Sequence, residues 1–92
     1  MEIMHVNGKN AGEIMLYALS TCVWCRRTRK LLDELGVGYD YVYVDLLDEN
    51  EQAVARKLMR KWNPSASFPT IVKDNKFCIV GYNPEEIKQK IK

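Results

Sequence analysis

The hydrophobic rhythm of this chain changes period at one point, and two cysteines stand there. The apolar run EIMLYAL, residues 13–19, gives way at Val23 to a helical repeat, with Cys22 and Cys25 at the change. The run has the length of a buried strand and is closed by the polar pair Ser20-Thr21. Beyond it Thr28, Leu31, Leu32 and Leu35 recur on one helical face, while Arg27, Arg29, Lys30, Asp33 and Glu34 fall elsewhere. Gly36 follows as a C-terminal stop.

The rest of the chain alternates in the same way. YDYVYVDL, residues 39–46, is rich in Tyr and Val and suits a second strand. Asp48 with Glu51 opens a helix, the first carboxylate as cap and the second favoured by the positive helix end. That helix is expected to run to about Trp62, with Val54, Ala55, Leu58 and Trp62 inward, until Asn63-Pro64 ends it. PTIVKDNKFCIVG reads as strands 69–73 and 77–80 around an Asp-Asn turn. Asn83-Pro84-Glu85-Glu86 is a helix start, and Ile87 and Ile91 face the core from a helix over 84–91. MEIMHVNG at the start is read as an extra edge strand. The order β-α-β-α-β-β-α predicts an α/β fold with a four-stranded mixed sheet. Helices must lie on both faces, because the central strands are apolar on both sides.

At 92 residues this is a single expected domain, 1–92, with room for one core. A net charge of +2 gives no reason to expect nucleic acid or an acidic membrane surface as partner. No apolar run reaches the roughly 20 residues of a membrane span, and the N-terminus lacks a secretory signal pattern. A cytoplasmic monomer is expected. The three cysteines are too few, and odd in number, for a secreted disulfide scaffold. A bridge within CVWC closes too small a loop to stabilise much. In a reducing compartment such a pair is redox-active or metal-binding.

Cys22 falls at the N-cap of the first helix, where unpaired backbone N–H groups and the helix dipole stabilise a thiolate over a thiol. Arg26, Arg27 and Arg29 add positive potential. Cys25, about one turn further in, is within reach of Cys22 and less exposed. Cys22 then attacks a substrate disulfide, and Cys25 displaces the reduced substrate to leave Cys22–Cys25 oxidised. Val23 and Trp24 lie between the two thiols, and Trp24 covers one flank of the site.

These features resemble the thioredoxin superfamily, and within it the glutaredoxins and glutaredoxin-like redoxins. The resemblance rests on LYALSTCVWCRRTRKLLDELGVGYDYVYVDL, SFPTIV and VGYNPEEI, and spans roughly residues 13–92. It implies a thioredoxin fold and no cofactor beyond the Cys22–Cys25 disulfide. It implies a cis-proline, Pro69, facing the cysteines, with the backbone around Phe68 pairing with substrate. Gly81, Tyr82 and Asn83 are placed beside the site by the same likeness. Thr21, Val23, Trp24, Phe68, Pro69, Gly81 and Tyr82 are accordingly the expected substrate-binding set, with Cys22 and Cys25 catalytic. Leu19 adds to the apolar rim.

The departures narrow the reading. Thioredoxins carry a buried acid six residues before the first cysteine, where this chain has Leu16. Glutathione-using glutaredoxins have a basic residue three before it, where Leu19 stands. Val-Trp replaces the usual Pro-Tyr, and Val80-Gly81 followed by Asn83 replaces a Gly-Gly pair with an acid. The chain is similar in these respects to redoxins that reduce ribonucleotide reductase and are fed by a thioredoxin-type disulfide reductase. Its potential is expected between about −200 and −270 mV. The alternatives are a glutathione-dependent glutaredoxin, or a metal or iron–sulfur carrier on the same thiols. For zinc only Cys78 and His5 remain as further Cys or His ligands. Cys78 is read as a small buried hydrophobe, and His5 as a surface residue without a paired acid.

Overall fold

Ile14–Ala18 forms the central strand β2, and its alternation decides how the two layers are built. Ile14, Leu16 and Ala18 face one cluster of apolar side chains, and Tyr17 faces another on the opposite side. The computed structural model describes residues 1–91, so Lys92, the last position of the expected domain, lies outside the described residues. The other elements are β1 (Met4–Val6), α1 (Val23–Leu35), β3 (Tyr39–Tyr43), α2 (Glu49–Arg60), β4 (Thr70–Lys73), β5 (Phe77–Val80) and α3 (Pro84–Lys90). The sheet order is β1-β3-β2-β4-β5, with β2 and β3 parallel and the other pairs antiparallel. The fold is α/β and thioredoxin-like, with the N-terminal segment added as a fifth strand on the β3 edge.

Leu31 and Leu32 of α1 and Ile87 of α3 bury against Leu16, Tyr39, Ile71 and Ile79 on one face. Ala55 and Met59 of α2 bury against Tyr17, Val42, Val44 and Val72 on the other. Helix ends follow the residues expected of them. Gly36 caps α1 at φ 70°, a left-handed conformation that glycine adopts without steric cost. Asn83 accepts the Glu86 N–H at 3.2 Å ahead of Pro84, and Asp48 accepts that of Glu51 at 2.8 Å. Asp74 and Asn75 both take positive φ, the backbone of a tight hairpin turn. Among the described residues no helix is long and apolar enough to cross a membrane.

Three expectations change. β3 stops at Tyr43 and not at residue 46, because the chain turns into a single 3-10 turn over Val44–Leu46. The turn carries Asp45 out of the strand and toward the loop after β2. In α2 the buried pair is Ala55 and Met59, whereas Val54 and Leu58 are exposed and Trp62 is half-buried past the helix end. The small Ala55 lets the helix approach the sheet, and the flexible Met59 side chain fills the gap beneath it. His5 does have an acidic neighbour. It lies opposite Asp40 in the β1–β3 pairing, with Nδ1 and a carboxylate oxygen 2.6 Å apart at the surface.

Candidate functional site

Cys22 is the N-cap of α1. Its backbone is extended (φ −91°, ψ 121°), and its sulfur accepts the backbone N–H of Cys25 at 3.2 Å. A side-chain sulfur thus takes the capping place that an oxygen fills in most helices. The first turn of α1 holds no acid, so nothing there opposes negative charge on that sulfur. Leu19 brackets both cysteines through its backbone. Its carbonyl accepts the Cys22 N–H at 3.3 Å, and its N–H donates to Cys25 Sγ at 3.4 Å. Cys25 is 1% exposed and Cys22 is half-buried. Burial, and next the bond to Cys22, pushes the Cys25 thiol from 9.0 up to about 12. Cys25 therefore holds its proton under ordinary conditions.

The Phe68-Pro69 peptide is cis. The Pro69 carbonyl accepts the Gly81 N–H at 2.8 Å, which ties the start of β4 to the turn before α3. Gly81 sits at φ 77°, where a side chain would be strained, and delivers Tyr82 to the site. Trp24 stacks on Tyr82 with ring centroids 5.8 Å apart and planes 25° from parallel. Trp24, Phe68, Pro69, Gly81 and Tyr82 line an open groove of about 250 Å³. Cys22, Phe68 and Tyr82 pack against the same apolar cluster, and Trp24 of the groove wall is two residues from Cys22 in the chain. Thr21 and Val23 are exposed on either side of Cys22. Among the described residues no backbone bond outside the regular elements uses Phe68.

Some expected neighbours are elsewhere. The side chain of Leu19 packs with the α2-side cluster and does not line the groove. Arg29 does not serve the cysteines. It donates to the Tyr39 and Tyr43 hydroxyls at 3.2 and 2.9 Å and lies 3.9 Å from the Tyr41 ring centroid. Cys78 is half-buried against the α2-side cluster, and its thiol donates to the Trp62 carbonyl at 3.1 Å. With His5 on the edge strand, neither residue completes a metal set with Cys22 and Cys25.

Two supports escaped the sequence reading. Asp45 accepts both the backbone N–H and the hydroxyl of Ser20, the former at 2.8 Å, and so pins the loop that presents Cys22. Burial opposes its charge, but the two Ser20 bonds prevail and hold its carboxyl below the usual range. Asn63, 4% exposed, donates to Ser67 and to the Thr70 hydroxyl at 3.0 Å and accepts from Ser65. That network fixes the loop leading to Phe68 and Pro69. The signal in NPSAS was loop chemistry, and which donors meet is set only in three dimensions.

The family model described as Glutaredoxin matches residues 14–78. The chain belongs to the glutaredoxin family. An uncharacterized glutaredoxin-like 8.6 kDa protein of the rubredoxin operon of Clostridium pasteurianum is 32% identical over 78 residues, covering 85% of this chain and 96% of that one. The gene 56 protein of Mycobacterium phage D29 is also 32% identical over 78 residues, covering 85% and 81%. Among solved structures, methanoredoxin of Methanosarcina acetivorans is 46% identical with a TM-score of 0.89, covering 91% of this chain and 88% of its own. A glutaredoxin of Methanosarcina mazei Go1, also 46% identical, superposes at 0.91 and covers 97% and 86%. This glutaredoxin-family chain is a thiol-disulfide oxidoreductase with Cys22–Cys25 as its redox pair, acting on disulfides of proteins.

Proposed function

We propose that this chain is a dithiol reductant of protein disulfides, with Cys22 as nucleophile and Cys25 as resolving thiol. The observation that carries the assignment is the difference in access. Cys22 caps the helix and is half-buried, while Cys25 is fully buried one turn below it with its thiol pushed up to about 12. The Cys22 thiolate attacks one sulfur of the substrate disulfide. The substrate S–S bond breaks, and the leaving sulfur takes a proton from solvent. Cys25 then loses its proton and attacks Cys22 Sγ. The mixed disulfide breaks, the second substrate sulfur departs as a thiolate and takes up from solvent a proton equal to the one Cys25 released, and Cys22–Cys25 carries away the two oxidising equivalents. A chain segment lies in the groove against Pro69, pairs with the free backbone at Phe68, and is framed by Trp24, Tyr82, Gly81, Thr21 and Val23.

The electron source in this reading is a thioredoxin-type disulfide reductase and not glutathione. The groove is lined by Trp24, Phe68, Pro69, Gly81 and Tyr82 with no cation among them, and Leu19 stands where a cation would meet a carboxylate of a small charged thiol. A ribonucleotide reductase is one substrate of the kind this implies. The test offers the oxidised protein reduced glutathione with its reductase, and separately an NADPH-dependent thioredoxin reductase. The second is expected to reduce it at least tenfold faster; efficient turnover by glutathione overturns the assignment of the donor. Cys22→Ser is expected to abolish reduction of insulin disulfides, while Cys25→Ser accumulates mixed disulfides visible by mass spectrometry. Full activity of Cys22→Ser sinks the mechanism.

A further inference from the structure

The first two turns of α1 carry Arg26, Arg27, Arg29 and Lys30, with no acid before Asp33. Arg29 is consumed internally by its tyrosines. Arg26, Arg27 and Lys30 are exposed, and among the described residues no carboxylate lies within ion-pair distance of any of them. The acids of the first turn of α3 do not neutralise them, since Glu86 faces Lys90 at 3.8 Å and Glu85 pairs with no cation among the described residues. Unpaired cations on a helix are ordinarily just a solvated face. Here two features set them apart.

Arg27 is held in place, its guanidinium 4.9 Å from the centroid of the Trp24 ring. Trp24 in turn stacks on Tyr82. Tyr82 lines the groove beside Cys22 and also a second cleft of about 370 Å³, whose other walls are Arg27, Lys30, Leu31 and Glu34. The groove and the basic cleft therefore share one aromatic wall, Tyr82. With two cations against Glu34, the cleft favours an anion.

We propose that the cleft behind Tyr82 is a subsite for an acidic side chain of the protein substrate, placed a few residues from the cysteine under attack. The proposal rests on the reading of the groove as the place where a disulfide-bearing segment binds. Arg27 and Lys30 recognise the carboxylate, while Trp24 and Tyr82 hold the apolar residue next to the cysteine. The subsite supplies specificity and speeds encounter, as exposed charges do.

The test uses three mixed-disulfide peptides that are identical except at one position a few residues from the cysteine, which is Glu, Gln or Lys. The order of kcat/KM for the unmodified protein is expected to be Glu, then Gln, then Lys. Glu should exceed Gln by roughly three- to tenfold, the scale of one or two exposed ion pairs. The preference is expected to vanish at about 1 M salt, where charges are screened beyond about 3 Å. It is also expected to collapse in the double variant Arg27→Gln, Lys30→Gln, with the ratio read within that variant. Equal rates on all three peptides, or a preference that survives the double substitution, overturn the subsite and leave the oxidoreductase reading intact. Failure to reduce any of the three defeats the reading of the groove itself.

Discussion

Cys25 is set apart from Cys22 by position alone. Both are thiols of the same short segment, yet one caps a helix and is half-buried while the other is 1% exposed. Burial disfavours its charged form, and the bond to Cys22 adds to the effect, so the Cys25 thiol rises from 9.0 to about 12. A raised pKa in the folded protein is stability present below the unfolded value and lost as pH climbs through the folded one. Cys25 thus helps the reduced fold below about pH 9 and withdraws that help between about 9 and about 12. Tyr17 and Tyr39, also pushed up by burial, act in the same direction. The unfolding midpoint of the reduced protein is expected to fall on going from about pH 9 to about pH 11, and to fall less in Cys25→Ala. Parallel falls in the two proteins, measured by thermal melts, contradict the assignment. Asp45 is the other residue whose role is local, because it holds Ser20 two positions before Cys22. Asp45→Ala is expected to cost about 1 kcal/mol, the net worth of a typical hydrogen bond, because the carboxylate is exposed. It should slow disulfide exchange as well, through a looser loop around Cys22. Unchanged exchange rates in the variant refute that coupling.

At the scale of elements, α1 and α3 were legible because their residues report one thing at a time. In α1 the buried positions Thr28, Leu31 and Leu32 are the apolar stripe, and Gly36 ends it where it should. In α2 the sequence offers more apolar residues than the sheet accepts. Val54, Ala55, Leu58 and Met59 all compete, and only packing decides that the pair Ala55 and Met59 turns inward. The same limit explains β3. The Tyr-Val alternation continues past Tyr43, and no local signal marks that Asp45 is drawn to Ser20 twenty-five residues earlier in the chain. The Cys-x-x-Cys pair and the cap of α3 were readable because each is a short motif with its own mechanism, whereas the cis-proline before β4 was implied by the family resemblance. The Asn63 network was not, since its partners meet only in the fold. A helix that buries Met59 and exposes Leu58 makes a sharp forecast. Met59→Ala is expected to destabilise by about 2–5 kcal/mol, against about 0.5 kcal/mol or less for Leu58→Ala at an exposed site. Denaturant titration of the two variants checks it, and equal losses would place α2 in the register first expected.

Over the whole molecule, the proposed redox site is assembled at one pole from elements that meet across the central strand. β2 supplies the loop to Cys22, β4 follows Pro69, and the turn after β5 supplies Gly81 and Tyr82. Phe68 touches the apolar clusters on both faces, so the site is braced by the entire core and not by one layer. β1 stands outside this arrangement. Among the described residues it pairs only with β3, at the edge of the sheet, and its residues are mostly exposed. The strand covers an edge that would otherwise present the free N–H and C=O groups of Tyr39 to Tyr41. It adds stability and guards against edge pairing, but it holds nothing that touches Cys22, Pro69 or Tyr82. Removing residues 1–7 is therefore expected to lower stability by about 1–3 kcal/mol and to raise the tendency to aggregate, while the rate of insulin reduction per folded molecule stays within about twofold. Circular dichroism gives the folded fraction and the turnover assay gives the rate. A truncated chain that keeps its fold and loses its turnover would make the fifth strand part of the redox site, contrary to the separation of edge and pole described above.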